Sequence, residues 1–126
     1  MNLGQMLDYF KGSEKMTSNV TSWVEMPARE AVYSDFPEFI DDRIKAALER
    51  RGVYKLYSHQ ASAIEVVHDG NSVVVVTPTA SGKTLCYNVP VLDAIIKNEE
   101  SRALFLFPTK ALSQDQTAEL HELIKE

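Results

Sequence analysis

Residues 73–84 read "VVVVTPTASGKT": four valines run into a turn that closes on Ser-Gly-Lys-Thr. A continuous β-branched run suits a strand covered on both faces, as in a parallel sheet. Gly82-Lys83-Thr84 is the second half of the phosphate-loop pattern G-x-x-x-x-G-K-[ST]. The first glycine of that pattern falls at position 77, where this chain carries Thr77. The retained half matters more. Backbone N–H groups at a helix start point at an anion, and the helix dipole favours negative charge there. Gly82 lets the backbone come close, the Lys83 ammonium suits β and γ phosphates, and the Thr84 hydroxyl suits Mg²⁺. The first position only shapes the opening of the turn, so a small substitute is conceivable. A bare GK[ST] is a weak signal, since a tight turn that holds nothing can carry it. At a junction of buried strand and helix it is a strong one.

Working outward, "KTLCYNVPVLDAIIKN" (83–98) reads as a helix that Pro90 should kink. "RALFLFP" (102–108) is a second wholly apolar strand, and "TKALSQDQTAELHELIKE" (109–126) a last helix with Leu112, Leu120, Leu123 and Ile124 as its apolar members. Strand, loop, helix, strand, helix predicts a βαβ unit with a right-handed crossover, so an α/β fold with a parallel sheet. Upstream, "SHQASAIEVVHDG" (58–70) starts at a cap, Ser58, and stops at Gly70, with Ala61, Ile64, Val67 and His68 on one side. "PEFIDDRIKAALERRG" (37–52) puts Phe39, Ile40, Ile44, Ala47 and Leu48 at helical spacing, acidic residues early and Arg50 and Arg51 late. Before Pro37 the signal fades. Asn2 caps a short helix with Leu3, Met6, Leu7 and Phe10 on one face, which Gly12 ends; 13–22 read as a polar linker and "WVEMP" as a short extended piece. The division is an extension over 1–36 and a domain beginning at 37.

Composition narrows the class. The 126 residues are 44% hydrophobic and 25% charged, which is a globular balance. A net charge of -5 excludes a broadly basic surface, so any nucleic-acid contact is local. One cysteine, Cys86, excludes an internal disulfide, and it reads as a small buried apolar residue. The N-terminus lacks the basic start and apolar core of a secretory signal. No apolar run approaches the roughly 20 residues that span a bilayer, and the expectation is a cytoplasmic protein. His68 and His121 are scattered and suggest no metal site, and Trp23 reads as packing.

Three segments carry a resemblance. "TPTASGKT" (77–84) resembles motif I of superfamily 2 helicases, in which Ala or Gly stands where this chain has Thr77. "LYSHQASAI" (56–64), with Gln60 23 positions before Lys83, is similar to the Q motif. "FPTKALSQDQ" (107–116) is similar to motif Ia. Together they resemble most closely the DEAD/DEAH-box-type DNA helicases of the YprA (MrfA) kind, which are related to the eukaryotic RecQ-four-like helicases. "MPAREAVYSDFPEFID" (26–41) resembles the stretch before their Q motif.

The resemblance implies a partial RecA-like domain over 37–126 that binds ATP with Mg²⁺. Lys83 and Thr84 would be the catalytic residues and Thr84 the metal ligand. Tyr57, Gln60, Thr79, Ala80, Ser81, Gly82, Lys83 and Thr84 would hold the nucleotide. Gln60 would read the adenine edge, as a side-chain amide can both donate and accept. Pro108, Thr109 and Lys110 would meet the backbone of a single strand, DNA rather than RNA. It also implies 3′-to-5′ translocation in DNA repair. Tyr57 stacks on adenine or covers its helix; His59 faces the base or is structural; Lys55 assists near the adenine or stands apart. No D-E-x-H box occurs in the 126 residues. The expectation is therefore the N-terminal part of a larger helicase, inactive without its carboxylates and second RecA-like domain. The competing expectation is a small nucleotide-binding module complete at Glu126. A P-loop kinase fits less well, having no use for Gln60 or "PTKAL".

Overall fold

The structure is a computed structural model that describes residues 2–27, 30–78 and 81–125. Met1–Glu30 and Ala31–Glu126 are two separate units.

In the first unit, α1 (Leu3–Gly12) starts where the Asn2 side chain accepts from the Gln5 N–H while the Gln5 side chain accepts from the Asn2 N–H. This reciprocal capping satisfies two donors that a helix start leaves open. The helix keeps Gly12 and ends at Ser13. Its apolar face is not buried: Leu3, Met6 and Leu7 are exposed. The expected linker contains a one-turn helix, α2 (Glu14–Thr17), whose N–H groups return to Ser13 and Glu14 carbonyls. Lys11 pairs with Glu25 and lies 5.1 Å over the Trp23 ring.

The second unit holds the core. Strand β1 (Tyr33–Ser34) pairs antiparallel with β2 (Leu56–Tyr57), Tyr33 opposite Tyr57. Helix α3 (Asp42–Arg50) begins later than the apolar spacing suggested. The Asp41 carboxylate accepts from the Arg43 N–H and fixes the start there, so Phe39 and Ile40 fall in the preceding turn. Ile40 is nonetheless buried in the apolar core, and Asp93 reaches across to accept from the Asp41 N–H at 3.0 Å. Helix α4 (Ser58–His68) has Tyr57, not Ser58, at its cap position, and the Gln60 side chain accepts from the Tyr57 N–H at 2.8 Å. Helix α5 (Thr84–Lys97) contains Pro90, and α6 (Lys110–Ile124) is capped by Thr109, whose hydroxyl accepts from the Leu112 N–H. Ile40, Ile44 and Leu48, Leu56, Ala61 and Ile64, Val89 and Leu123 close one apolar core, with Leu85, Leu92 and Ile96 against it.

The expected parallel sheet is not shown. Neither 72–77 nor 102–107 is paired into a strand, and the sheet formed by the described residues is β1–β2. Both segments still alternate. Val75 and Thr77, and Phe105 and Phe107, are half-buried, whereas Val74 and Val76 are 87% and 88% exposed and Leu104 and Leu106 84%. That is the pleat of a strand with one side covered and, among the described residues, no paired neighbour strand. The fold is accordingly mostly helical with one small antiparallel sheet. Among the described residues no helix is long and apolar enough to cross a membrane.

Candidate nucleotide-binding site

The loop between 77 and 84 closes on its own lysine. Lys83 Nζ donates to the Thr77 carbonyl at 2.9 Å, the Pro78 carbonyl at 2.8 Å, Thr77 Oγ1 at 3.1 Å and Ser81 Oγ at 3.3 Å. The Thr77 and Ser81 hydroxyls bond each other at 2.5 Å. Thr77, which stands where the pattern has glycine, thus becomes a polar wall of the loop. An ammonium gathered among carbonyls is a cation that an entering phosphate can take over with a stronger, charge-assisted bond.

Gly82 adopts φ +71, in the left-handed region. A Cβ there would lie 2.5 Å from Gln60 Nε2, so strain and crowding both exclude a side chain. Gln60 is only 2% exposed. Its Nε2 donates to the Gly82 carbonyl at 2.7 Å while its Oε1 accepts from Tyr57. Among the described residues these two bonds use one N–H and one lone pair of the amide. The neighbouring His59 Nε2 lies 3.0 Å from the Ser81 carbonyl; a carbonyl only accepts, so that nitrogen carries the proton. One turn of α4 therefore grips two consecutive loop carbonyls. The tyrosine ring beside it is layered: Tyr57 stacks between Tyr33 at 5.2 Å and His59 at 5.7 Å.

The expected residues divide as follows. Tyr57, Gln60, Ser81, Gly82 and Lys83 converge on the loop. Thr84 is half-buried in the first turn of α5, directly after Lys83. Its hydroxyl is an oxygen donor of the kind that would suit Mg²⁺. Thr79 and Ala80 lie outside the described residues. Pro108, Thr109 and Lys110 are exposed at the start of α6, away from any burial that would occupy them. Lys55 instead pairs with Asp35 at 3.1 Å. Cys86 is buried; burial pushes its thiol up, against the pull of a backbone bond and of Lys83. Sequence reasoning missed two contributors. The Thr77 departure was visible, but its bond to Lys83 was not; Tyr33 left no signal beyond its type.

The sequence pattern of the DEAD/DEAH box helicase family matches residues 57–126, which takes in the Tyr57–Gln60 turn, the loop and the whole of α6. The chain belongs to that family. It is 55% identical over 125 residues to the "Uncharacterized ATP-dependent helicase YprA" of Bacillus subtilis (strain 168), covering 99% of this chain and 16% of that protein. It is 36% identical over 112 residues to the ATP-dependent helicase HRQ1 of Saccharomyces cerevisiae (strain ATCC 204508 / S288c), covering 89% of this chain and 10% of that one. The crystal structure of the DUF1998 helicase MrfA bound to DNA and AMPPNP superimposes with a TM-score of 0.88 at 54% identity, covering 99% of this chain and 17% of that one. The chain thus spans about a sixth of the length of its YprA and MrfA relatives.

Proposed function

We propose that this chain supplies the ATP-binding opening portion of an ATP-dependent DNA helicase that moves 3′ to 5′ and serves in repair. The observation that carries the reading is the Lys83 ammonium held at the centre of a loop whose backbone Gln60 and His59 grip from behind. Lys83 would meet the β and γ phosphates, Gly82 and Ser81 would line them with backbone N–H groups, and Thr84 would hold Mg²⁺. Gln60 would use its remaining N–H and lone pair on the adenine edge, with Tyr57 packed beside the base. Bound ATP supplies the free energy; these residues hold it and orient it.

Residues 37–126 would form the first part of a RecA-like domain, with 1–36 as an extension. There 72–77 and 102–107 would be strands of a parallel sheet, a reading supported by their one-sided burial. Pro108, Thr109 and Lys110 would meet a DNA strand through the backbone N–H groups at the start of α6 and the Lys110 charge. DNA is favoured over RNA because the MrfA structure is DNA-bound.

The test is strand displacement by a helicase-length protein carrying this chain. ATP should drive separation of a DNA duplex with a 3′ tail and leave a 5′-tailed duplex paired. Separation of RNA duplexes alone would contradict the substrate, and 5′-tailed preference the direction.

A further inference from the structure

Helix α5 leaves the loop and α6 follows the Pro108–Lys110 segment, and Tyr87 links the two near those ends. The Tyr87 hydroxyl donates to Gln116 Oε1 at 2.6 Å. Tyr87 stands three positions after Thr84, so both lie on one face of α5. Gln116 stands seven positions after Thr109, two helical turns on, so it shares a face with the cap of α6. The Tyr87 ring also meets Phe105 edge-on at 5.9 Å, and Phe105 stacks on Phe107 at 6.2 Å, one residue before Pro108. A hydrogen bond and a row of rings thus run from the same side chain to the two ends of the segment that carries Thr109 and Lys110. Beside them lies a cavity of about 260 Å³ that Asn88, Ser113, Gln116 and Thr117 line together with Phe105, Phe107 and Leu120.

We infer that Tyr87 is a positioning residue that couples the phosphate loop to the nucleic-acid segment, holding Thr109 and Lys110 in register with Thr84 through its bond to Gln116 and its contact with Phe105. This rests on the helicase reading. Tyr87 touches no reacting atom; it transmits a shift of α5 to α6.

The experiment is steady-state ATP hydrolysis by the helicase-length protein as single-stranded DNA is titrated, for wild type, Tyr87→Phe, Gln116→Met and the double variant. Tyr87→Phe keeps the ring and removes only the bond. Each single variant should raise the DNA concentration for half-maximal stimulation about fivefold, the worth of one neutral hydrogen bond. KM for ATP and turnover without DNA should stay as in wild type. The double variant should match the singles, because both remove the same bond. Unchanged DNA half-saturation in Tyr87→Phe overturns the inference. So does a double variant whose fold-changes multiply, or an equal rise in KM for ATP, which marks a merely structural role. A wild type that DNA does not stimulate overturns the helicase reading and this coupling with it, which separates the two failures.

Discussion

Helix α5 and the segment that precedes it meet at one loop, yet they differ in how they are satisfied. Val89 on α5 is fully buried, whereas Val74 and Val76, on the far side of the loop in sequence, are almost fully exposed. Both stretches are apolar. A helix pairs its backbone within itself and needs only a neighbour for its apolar face. A strand needs at least one neighbouring strand to take its backbone hydrogen bonds, and that partner comes from elsewhere in a chain. The helical half of the unit therefore closes a core from residues 40–123, while the two extended segments keep one covered side and one open side. The loop belongs to the satisfied half, since α4 holds it from behind through Gln60 and His59.

The first way to break that comparison is at the core. Ile64→Ala, at a fully buried site, should cost about 2–5 kcal/mol in urea unfolding monitored by circular dichroism. A loss below 1 kcal/mol would mean that the helical half is not the stable one. Next comes the loop. Gly82→Ala forces a side chain into left-handed backbone and against Gln60 Nε2, a strain of about 1–3 kcal/mol. ATP affinity measured by calorimetry should fall about tenfold or more, and an unchanged affinity would show that the grip of Gln60 on Gly82 is dispensable.

Val74→Asp sharpens the contrast. In the 126-residue chain it replaces an exposed side chain and should shift stability by no more than about 0.5 kcal/mol. In a helicase-length protein, where a sheet would cover it, the same change should be severely destabilising. Equal, small effects in both would count against the parallel sheet. The smallest effect concerns the start of α3. The Arg43 side chain and then its backbone N–H, bonded to Asp41, hold that carboxyl at about 2, below its ordinary 3.8. A depressed carboxyl stabilises the fold above its unfolded pKa and loses that contribution as pH falls through the folded one. Acid titration should thus show a slight loss of stability between about pH 4 and pH 2 that Asp41→Asn removes. An identical acid limb in the variant would show that Asp41 contributes nothing there.

The same contrast explains what could be read from residues alone. The loop was legible because Gly82, Lys83 and Thr84 act through local backbone geometry, and α4, α5 and α6 were legible because helical periodicity is local too. The start of α3 was misread: Phe39 and Ile40 continue the apolar spacing, and only the Asp41 carboxylate decides that the helix begins after them. The contacts of Gln60 and His59 with the loop span 22 residues, so nothing in either stretch announced the pairing. The two apolar runs suggested strands covered on both faces, whereas the structure leaves both unpaired with one side exposed, because no local pattern supplies partner edges.

The most direct measurement of the central claim is equilibrium titration of the helicase-length protein with ATP and Mg²⁺, wild type beside Lys83→Ala. If the loop is the phosphate site, the wild type binds and Lys83→Ala loses binding by about a hundredfold, while Lys55→Ala, whose ammonium pairs with Asp35, binds as wild type does. If Lys83→Ala binds ATP as tightly as wild type, the nucleotide does not sit in this loop.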